Sequence, residues 1–141
     1  MTEQDVTQDE ILQTAEFRRL LRRFLAHGDA AVREAGLTPQ RYLLLLAIEG
    51  AADMSRTRSI GRLADDLQLA QSSVTELVDR AKAAGLVVRA SADGDARTVL
   101  VRLSAAGNDR LRAAIAAVRS EREQLLARLD EARSHLSRHD T

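Results

Sequence analysis

The sequence predicts a mainly α-helical fold with a small β-ribbon, and three observations lead to this prediction. Two long segments, one near each end, repeat their apolar residues at the three- and four-residue spacing of a helix. Between them, two short helical patterns are separated by a tight connection. The apolar period then changes to two, which is typical of strands. The expected order is therefore helices, a ribbon of two strands, and a last long helix.

The composition is that of one folded domain with a helical core. The chain has 141 residues, of which 45% are hydrophobic, 30% are charged and only 2% are aromatic. It contains no cysteine, which excludes disulfides and thiolate metal ligands. No apolar run approaches the roughly 18 residues of a membrane span, and the polar N-terminus is unlike a signal peptide. We therefore expect a cytoplasmic protein without a membrane partner.

The first two helices are indicated by apolar stripes and end signals. The first covers residues 9–34 and ends at Gly36. Thr38 and Pro39 are suited to the cap and first turn of the second helix. The run from Tyr42 to Ile48 is almost entirely apolar, so we expect that helix to be buried nearly all round. The stripe of the first helix contains Ile11, Phe17, Leu20, Leu21, Phe24 and Leu25.

Two short helical patterns in the middle of the chain form a helix-turn-helix. Ser59 can cap the first of them, and Gly85 ends the second. The connection is the tripeptide Gln68-Leu69-Ala70, which is short enough for a tight turn. The residues expected to face the core are Ile60, Leu63, Ala64 and Leu67 in one helix, and Val74, Leu77, Val78 and Ala81 in the other.

A two-stranded ribbon is predicted directly after this motif. Residues 86–90 and 97–103 have strand character, with Val99, Val101 and Leu103 expected on one face. The turn-forming segment 91–96 between them carries an Asp-Gly pair. A ribbon in this place is a wing, so residues 38–103 are predicted to form a winged helix-turn-helix lobe. Residues 50–58 are expected to be a polar loop.

The last helix is predicted to begin after Ser104 and to take part in dimerisation. Its apolar residues follow a heptad-like pattern that is too long for so small a domain to cover alone. The first helix likewise has more apolar residues than the domain alone can cover. We therefore expect one domain, 1–141, in which residues 9–35 and 104–138 are dimerisation helices of a homodimer with two-fold symmetry.

The second helix of the helix-turn-helix is the candidate DNA-reading helix, because a helix fits the major groove of B-DNA. Gln71 could pair with adenine, and Arg80 could reach guanine or a phosphate. The same side chains could also be ordinary solvent-facing residues of an amphipathic helix. The outward set is Gln71, Ser72, Ser73, Thr75, Glu76, Asp79 and Arg80.

The wing adds two candidate DNA-binding residues. Arg97 lies where the turn meets the returning strand, and an arginine on a thin ribbon can enter a narrow minor groove. Asp95 could orient its guanidinium through a bidentate pair. The alternative is a surface salt bridge within a turn. The complete order of helix, helix and ribbon favours the DNA-binding interpretation.

The ordered set of segments resembles the multiple-antibiotic-resistance regulator (MarR) family. The matching pieces are Leu37–Tyr42, Ile60–Leu67, Ser72–Val87, Asp93–Arg97 and Val99–Ser104 with Gly107. The resemblance implies a homodimer that binds a pseudo-palindromic operator in double-stranded DNA, usually as a repressor. It also implies release of the DNA when a small, often phenolic, ligand binds. By position, Ser72, Ser73, Thr75 and Arg80 correspond to the reading helix and Arg97 to the wing arginine.

Three features depart from the family pattern. Ala70 stands where a capping Ser or Thr is common, and Ala96 replaces a frequent second wing arginine. The C-terminal region is short, so the last dimerisation helix is expected to be reduced or fused with its neighbour. The first two affect how firmly DNA is held, and the third affects the dimer interface.

Three other functions are alternatives to DNA binding. The sequence has no nucleophile–base pair, phosphate-binding glycine loop or His-Glu-x-x-His helix, so we expect no enzyme activity and no cofactor. His135 and His139 have the spacing of two metal ligands on a helix, but they lie in a polar tail, and no metal site is predicted. A helical interaction module that does not bind DNA, of the anti-repressor type, remains possible because the net charge is zero.

The effector, the operator sequence and the choice between repressor and activator are left open by the sequence. Tyr42, Phe24 and His27 could line a ligand pocket near the dimerisation helices. Each of them is more simply explained as a core or boundary residue.

Overall fold

In the computed structural model, which describes residues 5–90 and 98–139, the chain forms five helices and three short strands. The elements are α1 (Gln8–Glu34), α2 (Pro39–Glu49), β1 (Arg58–Ser59), α3 (Ile60–Leu67), α4 (Gln71–Ala83), β2 (Val87–Ala90), β3 (Leu100–Leu103) and α5 (Ala105–His139). The predicted fold class, mainly α with a small β-ribbon, is confirmed. None of the described helices is long and apolar enough to span a membrane.

The chain divides into two compact units, which are described separately. One unit, called here the lobe, is Val32–Ala116. The other, called here the helical pair, combines the part of α1 up to Ala31 with the part of α5 from Ala117 onward. Both long helices therefore contribute residues to both units.

The lobe has a dry aliphatic core. Helices α2, α3 and α4 contact one another, and α2 and α4 also contact strands β3 and β2. In the described part of the chain, no polar or charged residue is buried. Burial of aliphatic side chains is the main stabilising contribution to the lobe. The core is formed by Leu44, Leu45, Ile48, Leu63, Ala64, Val74, Leu77, Val78, Ala81, Leu86, Val87, Val101 and Leu103.

Polar caps and left-handed glycines set the helix ends in the lobe. Thr38 Oγ1 accepts a hydrogen bond from the Arg41 N–H at 3.2 Å, which caps α2 as predicted. Ser59 Oγ accepts from the Arg62 N–H at 3.2 Å and caps α3 in the same way. After α4, Gly85 adopts φ +75°, a conformation that costs glycine little and other residues more.

Helix α2 is less buried than its apolar sequence suggested. Leu44, Leu45 and Ile48 are fully buried, but Leu43 is 51% exposed and Leu46 is 39% exposed. The expectation of burial nearly all round was therefore wrong. The core meets only one face of this 11-residue helix, so the other leucines face outward although their residue type is the same.

The sheet contains the predicted ribbon and one strand that was not predicted. Strands β2 and β3 are antiparallel, with Val87 opposite Leu103 and Ala90 opposite Leu100. Strand β1 pairs with the other edge of β3, so the order is β1-β3-β2. The segment expected to be loop thus ends in a strand at Arg58. Val99 was expected to share the inner face with Val101 and Leu103, but it is exposed.

Strand β1 is tied to α3 by a bidentate ion pair. Arg58 donates from Nε and Nη2 to the two carboxylate oxygens of Asp66, at 2.8 and 2.9 Å. This hydrogen-bonded carboxylate raises the pKa of Arg58 above its ordinary value. Such parallel bonds fix both side chains in one geometry. A two-residue strand is therefore held from both sides, by β3 and by α3.

The junction between the wing and α5 depends on Ser104 and Gly107. Ser104 Oγ donates to the Gly85 carbonyl at 2.6 Å and accepts from the Gly107 N–H at 3.0 Å. A Cβ built on Gly107 would lie 1.9 Å from the Leu86 carbonyl oxygen, so any larger residue collides with backbone. From this junction α5 continues without interruption to His139, which agrees with the expectation of a fused C-terminal helix.

The helical pair has a narrow buried seam. Leu20 and Val118 are buried, and a Cβ built on Gly28 would lie 3.8 Å from Val118 Cγ1, at ordinary contact distance. Half of the predicted apolar stripe of α1, namely Ile11, Phe17 and Leu25, stays exposed, because two helices can bury only the faces that meet. The exposed large apolar side chains of this unit include Val6, Ile11, Leu12, Phe17, Leu25 and Leu126.

Candidate nucleic-acid interface

Helix α4 separates core residues from outward residues as the sequence predicted. Val74, Leu77, Val78 and Ala81 are buried. The predicted site residues of this helix are all exposed: Gln71, Ser72, Ser73, Thr75, Glu76 and Arg80, together with Asp79. The structure therefore brings them to one accessible face, which rests on a helix fixed by the core of the lobe.

The first turn of α4 offers backbone donors without a side-chain cap. Ala70 occupies the cap position and makes no side-chain hydrogen bond, which is the predicted departure from the family pattern. The first N–H groups of a helix have no acceptor within the helix, so those of Gln71 and Ser72 can serve an outside anion. The hydroxyls of Ser72 and Ser73 stand beside them. A DNA phosphate oxygen is an acceptor of suitable size and charge for this turn.

Arg80 and Glu76 form an ion pair on the exposed face of α4. The distance from Arg80 Nη2 to Glu76 Oε1 is 3.2 Å, and both side chains are more than half exposed. An exposed pair four residues apart on a helix contributes only a few tenths of a kcal/mol. It can therefore open at little cost and release the guanidinium to a base or phosphate. While the ion pair is formed, Glu76 holds the Arg80 side chain along the helix surface.

Two further site residues are engaged within the protein. The Thr75 hydroxyl donates to the Gln71 carbonyl at 2.9 Å, so it is turned toward its own helix. The Gln71 side-chain nitrogen lies 3.7 Å from where a Cβ on Gly61 would stand, so the amide lies against α3. The adenine contact expected of Gln71 requires this side chain to turn away from α3.

The structure adds residues that the sequence did not single out. Gln40, in the first turn of α2, lines a groove beside α4 together with Leu69, Ser73, Glu76, Leu77 and Arg80. Only the packing of α2 on α4 brings Gln40 there, and no local pattern could have signalled it. Arg89 and Arg102 are exposed on strands β2 and β3. Both could have been suspected, since each is the basic residue of its strand.

The predicted wing residues Asp95 and Arg97 lie outside the described residues, as does the whole segment 91–97. Of the two strands beside that segment, β2 ends at Ala90 and β3 begins at Leu100. The roles of Asp95 and Arg97 thus stay predictions.

Metal ligation receives no support from the part of the chain that the structure describes. Its residues contain no group of three or more His, Asp or Glu side chains able to hold an ion. The side chains of His135 and His139 lie outside this description.

The comparison with protein families matches the part of the chain that contains α4. The family model described as the MarR family matches residues 35–98, which contain α2, α3, α4 and the first strand of the wing. A search of curated protein sequences found no match.

Solved structures share the fold over nearly the whole chain. AbsC, a MarR family transcriptional regulator from Streptomyces coelicolor, is similar at 21% identity, with 96% of this chain and 97% of that chain covered and a TM-score of 0.70. A mutant of MarR from E. coli in complex with operator DNA is similar at 18% identity, 94% and 98% coverage and a TM-score of 0.66. NadR in complex with 4-hydroxyphenylacetate is similar at 20% identity, with 99% of this chain and 92% of that chain covered and a TM-score of 0.67.

Proposed function

Because this chain belongs to the MarR family, we propose that it is a dimeric, sequence-specific DNA-binding repressor. The observation that carries the proposal is the exposed polar face of α4. This helix is held by four buried side chains, while its small hydroxyl residues and Arg80 face outward. A rigid helix with an uncrowded first turn is what major-groove binding requires.

In the proposed complex, α4 lies in the major groove and its first turn meets the phosphate backbone. Ser72 and Ser73 and the nearby N–H groups bind phosphate oxygens, which set the position of the helix. Arg80 leaves Glu76 and pairs with guanine or a phosphate. Arg97 on the wing enters the adjacent minor groove, oriented by Asp95. Gln40 is close enough to α4 to add a contact beside it.

We propose that the helical pair is the dimerisation surface. Its uncovered apolar side chains on α1 and α5 gain burial only when another surface covers them. A two-fold dimer would present two α4 helices to a pseudo-palindromic operator, with half-sites about 34–36 Å apart. The related E. coli protein has been solved with operator DNA, which supports this assignment.

Release of DNA by a small molecule is the regulatory part of the proposal. The related NadR has been solved with 4-hydroxyphenylacetate, an aromatic acid with a phenolic hydroxyl. A repressor of this kind would act in the cytoplasm, where its operator is accessible. A small aromatic effector is therefore the class to test first.

The test is a titration of DNA from the promoter of the protein's own operon, followed by fluorescence anisotropy at several salt concentrations. Wild-type protein should bind with strong salt dependence. Arg97→Ala should weaken binding and lower the slope against log salt by about one unit. Arg112→Ala removes an exposed arginine of α5 and should change neither quantity.

The same titration separates the second candidate function. The exposed charges of α4 balance, with Glu76 and Asp79 against Arg80 and Lys82, and the net charge of the chain is zero. Absence of a salt-sensitive complex at micromolar protein would favour an interaction module that does not bind DNA. Unchanged DNA affinity in Arg97→Ala would contradict the role proposed for Arg97 but not DNA binding by α4.

A further inference from the structure

The outward face of α4 carries acidic side chains at its centre and basic side chains at its sides. Successive residues of an α-helix are turned by roughly 100°, and the four buried residues of α4 mark its inner side. Glu76 and Asp79 lie within about 30° of the direction opposite the core, whereas Arg80 and Lys82 lie about 70° and 90° away from that direction. A helix that enters the major groove with this face brings its carboxylates closest to the base edges.

Glu76 is the acidic residue nearer the start of α4, where reading helices contact bases. Its side chain is 69% exposed, and the ion pair with Arg80 is its one salt bridge within the described part of the chain. In the proposed complex, Arg80 leaves this pair for guanine or a phosphate. Glu76 then lies in the groove with a full negative charge, so the DNA has to supply a hydrogen-bond donor for it.

Only the amino groups of two bases can serve a carboxylate in the major groove. Cytosine presents its N4 amino group and adenine its N6 amino group, whereas guanine N7 and O6 and thymine O4 are acceptors. An ionised carboxylate has no proton to donate, so these acceptors and the phosphate oxygens repel it. Adenine places its acceptor N7 beside the amino group, whereas cytosine presents the amino group alone. Cytosine is therefore the base that suits Glu76 best.

The ion pair between Glu76 and Arg80 is too weak to select a DNA sequence by itself. An exposed pair of this kind changes an equilibrium by roughly twofold. A charged acceptor that loses its water and finds no donor lowers affinity by about tenfold or more. Discrimination therefore depends on what the carboxylate meets after Arg80 has left it.

We propose that Glu76 is a specificity-determining residue, which accepts a hydrogen bond from a cytosine amino group close to the guanine that Arg80 contacts. This role rests on the proposed DNA-binding function. On DNA without that cytosine, Glu76 either stays without a donor or retains Arg80, and both outcomes lower affinity. Such selection suits a chain with a net charge of zero, which has little general attraction to DNA.

The test begins with selection of binding sites from a library of randomised DNA duplexes by full-length protein. Wild type should enrich a site with a G·C pair in each half, and Glu76→Gln should change one such pair to A·T, because a glutamine amide pairs with adenine N6 and N7. Asp79→Asn is the matched control. It removes the same charge from the same face, but Asp79 pairs with no cation among the described residues, so this variant should select the wild-type site.

Fluorescence anisotropy then measures how strongly the cytosine contributes. Replacement of the assigned G·C pair by A·T should weaken wild type by at least about tenfold and Glu76→Ala by less than about twofold. On an unrelated duplex, Glu76→Ala should bind more tightly than wild type and depend more steeply on log salt by about one unit, because Arg80 is free to contact one more phosphate. Addition of Arg80→Gln to Glu76→Ala should remove that extra unit.

The outcomes separate the role of Glu76 from the function on which it rests. No enriched site and no salt-sensitive complex for wild type would remove DNA binding, and the role of Glu76 with it. A site that Glu76→Gln leaves unchanged, or that Asp79→Asn changes in the same way, would overturn the role of Glu76 and leave DNA binding in place. Enrichment of a wild-type site without G·C pairs would have the same consequence.

Discussion

The lobe and the helical pair are built from the same aliphatic residue types, but only the lobe completes a core. Leu44 and Leu63 of the lobe are 0% exposed, whereas Leu25 and Leu126 of the helical pair are 60% and 56% exposed. The difference lies in the number of surrounding elements. In the lobe, three helices and a sheet pack against one another. In the pair, each helix has one neighbour.

This difference in burial gives the two units different stabilities. Full burial of a leucine contributes about 1.5–3 kcal/mol, and the lobe obtains this many times over. An exposed leucine of the helical pair contributes little until a second surface covers it. The lobe should therefore be stable by itself, whereas the helical pair should depend on association. In the proposed dimer, the lobe presents the candidate reading helix α4, and the helical pair supplies the surface that brings two such helices together.

The largest expected effect contrasts one leucine from each unit. Leu63→Ala should lower the free energy of unfolding by about 2–5 kcal/mol, because it leaves a cavity in a closed core. Leu126→Ala at protein concentrations too low for association should change it by less than about 0.5 kcal/mol. Urea unfolding followed by circular dichroism measures both. Similar losses for the two variants would show that the helical pair also has a complete core.

The next effect concerns the junction that orders the wing against α5. Gly107→Ala should destabilise the lobe by about 1–3 kcal/mol, since its methyl group would overlap the Leu86 carbonyl and the backbone must shift. Thermal unfolding measures the change. Ala106→Gly is the adjacent control, at an exposed helical position, and should cost about 1 kcal/mol at most. Equal midpoints for Gly107→Ala and wild type would contradict the close approach.

A third prediction tests whether the uncovered stripe is the association surface. Leu25→Asp should raise the dimer dissociation constant by at least about tenfold, which corresponds to ~1.4 kcal/mol, because it places a charge where apolar burial is required. Analytical ultracentrifugation over a concentration series measures the constant. Leu43→Asp is the matched control: it changes a 51% exposed leucine on α2 of the lobe and should leave the constant unchanged. The reverse result would place the dimer surface on α2.

Most of the lobe could be predicted because its signals are local. The caps Thr38 and Ser59, the inward face of α4 and the alternation in β3 are each determined within a few residues of sequence. What the sequence could not predict depends on distant partners. Strand β1 has two residues and exists because Val101 and Leu100 lie opposite them, more than 40 positions away. The position of Gln40 beside α4 likewise results from tertiary packing.

For the helical pair, the sequence predicted the helices but not which of their residues are buried. Its helices and their apolar stripe were evident from periodicity, but periodicity does not tell which residues a neighbour covers. Leu20 is buried and Phe17 is 47% exposed, although both belong to the same predicted stripe. Of the three side chains named from the sequence for a ligand pocket, Phe24 and His27 line a cleft between α1 and α5, and Tyr42 does not. Which residues of α5 lie opposite them depends on tertiary packing, which periodicity does not predict.

The smallest expected effect is an acid response of the loop before β1, which belongs to the self-sufficient lobe. Asp53 Oδ1 accepts hydrogen bonds from the Ser55 N–H at 3.0 Å and the Ser55 hydroxyl at 2.7 Å. These bonds lower the pKa of Asp53 below its ordinary 3.8, the value it regains on unfolding. The unfolded chain therefore takes up this proton first, so the contribution is present above pH 3.8 and is lost as the pH falls below it.

Asp53→Asn should remove this part of the acid response while leaving stability at neutral pH nearly unchanged, since the amide oxygen can still accept from Ser55. Thermal midpoints of the two proteins should therefore coincide near neutral pH and separate as the pH falls below 3.8, because only the wild type loses this contribution. Asp109→Asn, at an exposed position in the α5 part of the lobe, serves as the control. Because the loop lies within the lobe, this separation should not depend on protein concentration. Dependence on concentration would mean that association also stabilises the lobe, and the contrast between the two units would then be weaker than their burial suggests.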